Sequence, residues 1–274
     1  MPLILAIDVG NTRAKFGMFE TGAAERPQAV NLSACRLDTN SSLASGLQRW
    51  LDDHAFDDIG EAIVAGSNPP VRNELIAAWP DDLCKPTIIE GHAQIPVPMD
   101  VQHPETVGID RLLTAFAARQ MISNQSPIVI IDSGTATTVN LLTSDGTFRG
   151  GAILPGLRLS AHALHDYTAR LPLIDTDQIC AEDSDDIDAP LPGRQTVDAM
   201  KSGLFWGQLG AVKELTARLS DCATQKFGDT KSPVLVLTGG GGRQLVSQLN
   251  NAVYVDCLAL HGLAMLPTDY SGLR

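Results

Sequence analysis

The sequence predicts an α/β protein made of two similar domains with mixed sheets, and three observations carry that expectation. A short signature occurs twice, as Ile7-Asp8-Val9-Gly10-Asn11-Thr12 and as Ile131-Asp132-Ser133-Gly134-Thr135-Ala136-Thr137. Each copy follows an apolar run, Leu3 to Ile7 or Ile128 to Ile131, and leads into a second stretch rich in β-formers, so each reads as a tight turn between two hydrophobic strands. Around both copies the order strand, strand, strand, helix, strand, helix repeats, which packs as helices covering a sheet.

In the first half the pattern predicts strands over 3–8, 13–19 and 29–36, a helix over 42–54, a strand over 61–66 and a helix over about 70–79. Ser67-Asn68-Pro69-Pro70 supplies the capping residues and the proline of that last helix start. A short strand from Pro86 to Glu90 and a proline-punctuated loop from Ile95 to Pro104 follow; loops of that length inside a compact domain are often functional. Gly108 to Ile122 reads as a helix linking the halves. The second half opens with strands over 127–132 and 137–143, an Asp145-Gly146 turn and a short strand near Phe148. After it come a glycine-rich loop, Gly150 to Gly156, and a helix over about 157–166. Asp175 to Gly193 is acidic, carries two prolines and reads as a surface loop. A helix over 195–219, a strand over 233–238, a helix over 243–249, a strand over 252–255 and a helix over 257–266 close the order. The expected division is 1–118 and 119–274, with the two halves facing each other across a cleft where their turns meet.

The residue types in the repeated turn suit an anion. A glycine lets the backbone come close, and the neighbouring Asn or Thr adds short donors, so successive N–H groups can cradle phosphate oxygens. The aspartate would repel phosphate; its role is to hold a cation that the phosphates also touch. Taken singly, Asp-x-Gly also closes ordinary hairpins. A third cluster joins the two turns: the apolar strand Val234 to Leu237 runs through Thr238 into Gly239-Gly240-Gly241-Gly242 before a helix, where bare backbone would let a flat ring or ribose lie close. Neither a Gly-x-x-x-x-Gly-Lys-Ser/Thr loop nor a strand-linked Gly-x-Gly-x-x-Gly occurs.

Composition narrows the partners. The 274 residues are 44% hydrophobic, ample for a core, and the net charge is -12, with a pI near 4.8. That field argues against nucleic acid and acidic membrane surfaces. Cys35, Cys84, Cys180, Cys222 and Cys257 are scattered, odd in number and without a Cys-x-x-Cys pair, which suits a reducing cytoplasm and argues against structural zinc. The sequence enters a strand at once, with no basic-then-apolar leader, and no apolar run reaches the ~20 residues of a membrane span. These features predict a cytoplasmic protein.

The three elements in this order resemble the acetate and sugar kinase, Hsp70 and actin superfamily, which implies two ribonuclease H-like (actin-like ATPase) domains with an interdomain ATP cleft. A longer constellation narrows the resemblance. Asp8 to Thr12 is followed by Gly108-Ile109-Asp110-Arg111, Asp132 to Thr138, Gly150 to Gly156 with Ser160 and Leu164, and Thr168-Ala169-Arg170-Leu171-Pro172. Then come Thr196, Ala199 and Gly203, and finally Thr238-Gly239-Gly240. Over nearly the whole chain this closely resembles the type III pantothenate kinase family, bacterial enzymes that phosphorylate pantothenate in the first step of coenzyme A synthesis. The resemblance implies that Asp8, Val9, Gly10, Asn11, Thr12, Arg13, Ala14 and Lys15 hold the ATP phosphates and magnesium, with Thr135 a further ATP contact. It implies that Gly108, Ile109, Asp110 and Arg111 bind pantothenate with Asp110 as the base, and that Thr196 also contacts it. Asp132 would hold a monovalent cation, potassium or ammonium, and the protein would be a homodimer. The family usually carries a tyrosine at Val101, an asparagine at His103, a phenylalanine at Ser133 and an aspartate at Asn140.

Two other readings stay in view: a kinase of another small alcohol or a sugar on the same fold, and a nucleotide-binding regulatory protein with little turnover. The absence of a zinc-type cysteine cluster counts against the first, and intact Asp8, Asp110 and Asp132 against the second. His162 and His165 share a helical face but lack a third ligand nearby, so a solvated or capping role is expected. Trp50, Trp79 and Trp206 are expected to pack in the core or an interface, and Glu182 to Asp186 to be a solvated loop.

Overall fold

The computed structural model describes residues 2–22, 26–37, 42–122, 125–179 and 187–267; Cys180 and the acidic stretch Glu182 to Asp186 lie outside them. Taken over its described residues, the chain forms two compact units, one holding residues up to Val97, Gln102–Met121 and the stretch from Cys257, the other holding Pro98–Val101 and Ile122–Asp256.

The first unit is organised by β1 (Leu3–Val9), whose residues from Ile4 onward are all buried. A continuously apolar strand of this kind needs cover on both faces. It pairs antiparallel with β2 (Arg13–Glu20), which in turn pairs with β3 (Gln28–Arg36) at the sheet edge. α1 (Leu43–His54) begins at Ser42, whose hydroxyl accepts from the Ser45 N–H, and buries Leu43, Leu47, Trp50 and Leu51. β4 (Ile59–Gly66) then lies parallel to β1. α2 (Pro69–Ala77) starts where Asn68 caps the Val71 N–H and proline occupies the first turn, as the sequence predicts. β5 (Thr87–Ile88) completes the order β3-β2-β1-β4-β5, and α3 (Ile109–Met121) presents seven buried residues, Leu112 to Ala118.

The second unit repeats this plan. β6 (Ile128–Ser133) pairs antiparallel with β7 (Ala136–Leu142), which pairs with β8 (Phe148–Pro155). α4 (Leu157–Asp166) and α5 (Thr196–Gln225) lead to β9 (Val234–Thr238), parallel to β6, then α6 (Gly242–Val246) and β10 (Ala252–Tyr254). Its order, β8-β7-β6-β9-β10, is the order of the first sheet over again. The core of this unit joins Val129, Ile131, Val139 and Leu141 of the sheet to Phe205, Leu209 and Val212 of α5. Each such side chain, fully buried, contributes roughly 1.5–3 kcal/mol.

The strand expected from Pro86 to Glu90 shortens to Thr87–Ile88 and the helix expected over 243–249 ends at Val246, and three larger differences from the sequence expectation have a physical reason. The glycines at 150 and 151 do not end the strand near Phe148: β8 runs on to Pro155, because pairing from Asn140↔Gly151 to Ala136↔Pro155 supplies what local propensity lacks. α5 continues past 219 to Gln225, held by the buried Ala223 in its last turn. Finally, α7 (Leu258–Ala264) does not stay with the second half as a division at 118 implies. Its fully buried Leu258, Leu260 and Leu263 pack on α3 and β1, so the chain returns to the first unit.

The β7–β8 turn shows how tightly a sequence-predicted Asp-Gly turn is fastened. The Thr143 hydroxyl donates to Asp145 Oδ1 at 2.6 Å, and the Thr147 N–H donates to the same oxygen at 3.0 Å. The Thr143 hydroxyl holds the Asp145 carboxyl below its ordinary pKa, partial burial opposes it, and the Thr147 groups and Arg149 add to the lowering. A carboxyl depressed by folding stabilises the native state above its unfolded pKa and loses that contribution as pH falls through the folded value. Asp145→Asn is therefore expected to lower the melting temperature at neutral pH by about 2–4 °C. In calorimetry over a pH series the gap to the parent should narrow as the pH falls below the unfolded carboxyl's value and close once it lies below the depressed folded value, where the carboxyl is protonated in both states.

Candidate active site

Asp8 is the penultimate residue of β1, 6% exposed, directly opposite Lys15 on β2 and beside Ala65 on β4. Residues directly opposite share a face and approach closely, so the strand end carries a carboxylate and an ammonium together. The turn above them closes with the Gly10 N–H donating to the Arg13 carbonyl at 3.0 Å, and the Leu37 N–H reaching the Thr12 carbonyl at 3.0 Å. A Cβ on Gly10 would stand 2.9 Å from the Arg13 oxygen, tighter than side chains tolerate. Asn11 is exposed, Thr12, Arg13 and Lys15 are half-buried, and Val9 and Ala14 are core. The Asn68 N–H donates to the Val9 carbonyl at 3.3 Å, which sets the start of α2 beside the same strand end.

Also in the first unit, Gly108 precedes the first turn of α3, its carbonyl accepting from the Arg111 and Leu112 N–H groups at 3.1 and 3.3 Å. Asp110 Oδ1 accepts from the Arg111 N–H at 2.8 Å, the place a carboxylate takes at a helix start. Ile109, Asp110 and Arg111 are half-buried. Burial lowers the pKa of the Arg111 guanidinium from its ordinary value, with the charge of Asp110 pulling the other way.

The second unit carries the matching strand end. Asp132 is penultimate in β6, opposite Thr138 on β7 and beside Thr238 on β9. The Gly134 N–H closes the turn onto the Ala136 carbonyl at 3.1 Å; Thr135 sits exposed at its tip, and its carbonyl accepts from the Gly156 N–H at 3.0 Å. Gly239 lies against this turn with φ +83°, and a Cβ there would stand 2.5 Å from Asp132 Oδ1 and 2.6 Å from the Ser133 carbonyl, so both backbone sign and space require glycine. Beneath the turn, Gln208 of α5 donates from one amide nitrogen to Ser133 Oγ at 3.3 Å and to Thr137 Oγ1. Thr196 is exposed at the first position of α5.

The residues that sequence reasoning selected therefore fall at four strand or helix ends: two repeated strand ends, each with its turn, the start of α3 and, for Thr196, the start of α5. Carboxylate, hydroxyl and carbonyl oxygens dominate both strand ends, a donor chemistry that suits hard cations such as magnesium and potassium. Gln208 was not among the expected site residues. Its signal was legible: Leu204, Phe205, Leu209 and Val212 mark the buried face of α5, and Gln208 interrupts that face with an amide. Of the other candidates, His165 Nδ1 pairs with the Leu171 carbonyl at 3.0 Å just past α4, and no group of three or more potential metal-binding His, Cys, Asp or Glu residues occurs among the described residues. Trp50 is buried against Phe16, Trp79 donates to the Cys84 carbonyl, and Trp206 is 36% exposed. No helix among the described residues is long and apolar enough to cross a membrane.

Two α/β units of one topology, each with a glycine-containing turn after an Asp at a central strand end, define the acetate and sugar kinase, Hsp70 and actin class of fold. Solved structures agree with that class. A candidate Baf family transcriptional activator from Campylobacter jejuni aligns over 94% of each chain with a TM-score of 0.53 at 20% identity. A candidate 2-dehydro-3-deoxygalactonokinase from Sinorhizobium meliloti aligns over 95% of this chain and 96% of its own, with a TM-score of 0.50 at 15% identity. The profile of the type III pantothenate kinase family matches residues 4–218, and a type III pantothenate kinase of Bacillus cytotoxicus is 30% identical over 273 residues, 96% of this chain and 95% of that one. The chain belongs to the type III pantothenate kinase family.

If the β1–β2 turn meets ATP, a side chain at Gly10 both crowds the Arg13 carbonyl and obstructs the anion. Gly10→Val is expected to abolish ATP binding in titration calorimetry. Unchanged nucleotide affinity in a variant with a native-like melting curve would remove this turn from the site.

Proposed function

We propose that this kinase transfers the γ-phosphoryl group of ATP to the primary hydroxyl of pantothenate with Asp110 as the general base. The observation that carries the reading is topological: Asp8 and Asp132 occupy the same penultimate position in two sheets of one order, and Asp110 opens the helix that follows the first sheet in the chain. Phosphoryl transfer asks the protein for positioning and charge neutralisation, and for a carboxylate to accept the hydroxyl proton. The backbone and short donors from Asp8 to Lys15 serve the phosphates, with Thr135 a second ATP contact. Gly108 to Arg111 receive pantothenate, the half-buried Arg111 guanidinium offering the positive charge that a carboxylate-bearing acceptor needs, and Thr196 is a further contact. The Asp110 carboxylate takes the proton as the hydroxyl oxygen attacks.

Magnesium held by Asp8 and potassium or ammonium held by Asp132 would neutralise phosphate charge when bound; the oxygen-rich character of both strand ends supports that assignment. We also assign a homodimer in the cytoplasm. Exposed Ile153, Leu159, Tyr167, Leu191 and Trp206, all in the second unit, support self-association, and the free thiols Cys35, Cys84, Cys222 and Cys257 suit a reducing compartment. Sedimentation at micromolar concentration checks the dimer.

The deciding assay is ADP release with pantothenate against a panel of sugars and small alcohols; a sugar preferred over pantothenate would overturn the acceptor assignment. Asp110→Asn should keep the fold and nucleotide affinity while slowing turnover roughly 100-fold or more, the scale of losing a general base. A folded variant with near-parental turnover would remove Asp110 from the mechanism. Potassium or ammonium should raise the parental rate at constant ionic strength and magnesium, with sodium a poor substitute because ion size and ligand number set the choice. Asp132→Asn should be slow and nearly indifferent to potassium; equal parental rates in sodium and potassium would return Asp132 to a magnesium-side or structural role.

A further inference from the structure

We propose that Gln208 is a positioning residue for the nucleotide, holding the β6–β7 turn and the glycine turn after β9 at one fixed spacing. This rests on the reading of both turns as ATP contacts. Ser133 and Thr137 stand directly opposite each other where β6 and β7 part to form the turn, and both are buried, at 4% and 0% exposure. The Gln208 amide spans that opening, donating to both hydroxyls from one nitrogen. Ser133 is also the residue that the glycine turn rests on. Its carbonyl accepts from the Gly241 N–H at 3.0 Å, and its Oγ lies 2.5 Å from where a Cβ of Gly241 would stand. One planar amide on a rigid helix thus fixes the turn that carries Asp132 and Thr135 and, through Ser133, the bare backbone from Gly239 to Gly241.

Stability alone does not explain an amide here. Gln208 is 7% exposed among Leu204, Phe205, Leu209 and Val212, and its Oε1 has no hydrogen-bond partner among the described residues. A buried amide with an orphaned carbonyl is less favourable than an apolar side chain of the same volume, whereas replacing donor and acceptors together by apolar groups is close to neutral. The fold by itself would accept methionine at 208 with valine at 137 and alanine at 133. What such a triad lacks is direction: the backbone bond from the Gly241 N–H to the carbonyl of residue 133 remains, but apolar contacts no longer fix the orientation of the β6–β7 turn that presents that carbonyl.

That contrast gives the test. The triple variant Ser133→Ala/Thr137→Val/Gln208→Met is expected to melt at or above the parental temperature. Its KM for ATP and its dissociation constant for a non-hydrolysable ATP analogue should both rise about tenfold, while KM for pantothenate and kcat at saturating ATP stay within about twofold, the signature of lost nucleotide binding alone. A stable triple variant with parental ATP affinity overturns the proposal, and so does a parallel rise in both KM values with a lowered melting point, which marks a structural role. Should the triple variant not fold, the cycle of Ser133→Ala and Gln208→Met decides: the two changes in analogue affinity should be strongly non-additive, and additivity overturns the proposal. Gly241→Val separates the underlying reading, since it should lose analogue binding. If it binds normally, the glycine turn is not a nucleotide contact; if it fails to bind while the triple variant binds like the parent, only the role of Gln208 is lost.

Discussion

A carboxylate at the end of a buried central strand is costly to keep ionised, and both sheets place one there. Asp8 is almost wholly shielded from water, in a strand that is buried from Ile4 onward. Burying a charge without compensation is prohibitive, so such a group persists only beside opposite charge or strong donors. In the first unit Lys15 is held directly opposite by strand register. In the second, the hydroxyl-bearing Thr138 and Thr238 flank Asp132 on both neighbouring strands. The remaining architecture follows from this constraint. The hairpin must turn immediately after the carboxylate, the parallel neighbour must end at the same level, and glycine must follow wherever a second backbone comes close.

The same constraint resolves an apparent conflict between charge and substrate. A chain of net charge -12 repels an ATP polyanion at long range. Within a Debye length, about 8–10 Å at ordinary ionic strength, the local field decides instead. On the proposed reading, the β1–β2 turn offers its backbone there together with Arg13 and Lys15. Cations held by the strand-end carboxylates, as proposed, would add to this local balance and let an acidic protein use aspartates, rather than additional lysines, at a phosphate site.

Most of the fold was legible because its signals are strong and local. Apolar strands of hydrophobic residues, Asn68 and its prolines at the start of α2, and the repeated Asp-x-Gly turn each point to one structure. The errors arose where tertiary pairing outweighs propensity. Gly150 and Gly151 look like a loop until β7 is beside them, and α7 looks like the end of the second half until its leucines find α3. Of the candidate site, the strand ends and the start of α3 were selected from residue type. Gln208 shows in the sequence only as an amide on an apolar helix face; its significance lies in touching Ser133 and Thr137, 75 and 71 positions earlier in the chain.

Connectivity then places the segment before α3 under a restraint of its own. Pro98–Val101 belongs to the second unit although the chain on either side belongs to the first. The segment is clipped to β8: the Phe148 N–H donates to the Pro98 carbonyl at 2.8 Å, and the Asp100 N–H donates to the Phe148 carbonyl at 3.0 Å. Arg149 pairs with Asp100 while stacking over Phe227 at 4.4 Å, so a charge-assisted bond and a ring both fix its guanidinium. Val101, at the end of the clip, lies with Cγ1 3.6 Å from the Cβ position of Gly150. The residue that departs from the family's usual tyrosine is thus on an anchored segment, seven positions before Gly108. A side chain at position 101 is carried on backbone held in place by β8, so a change of residue there alters the side chain and not the position of the segment.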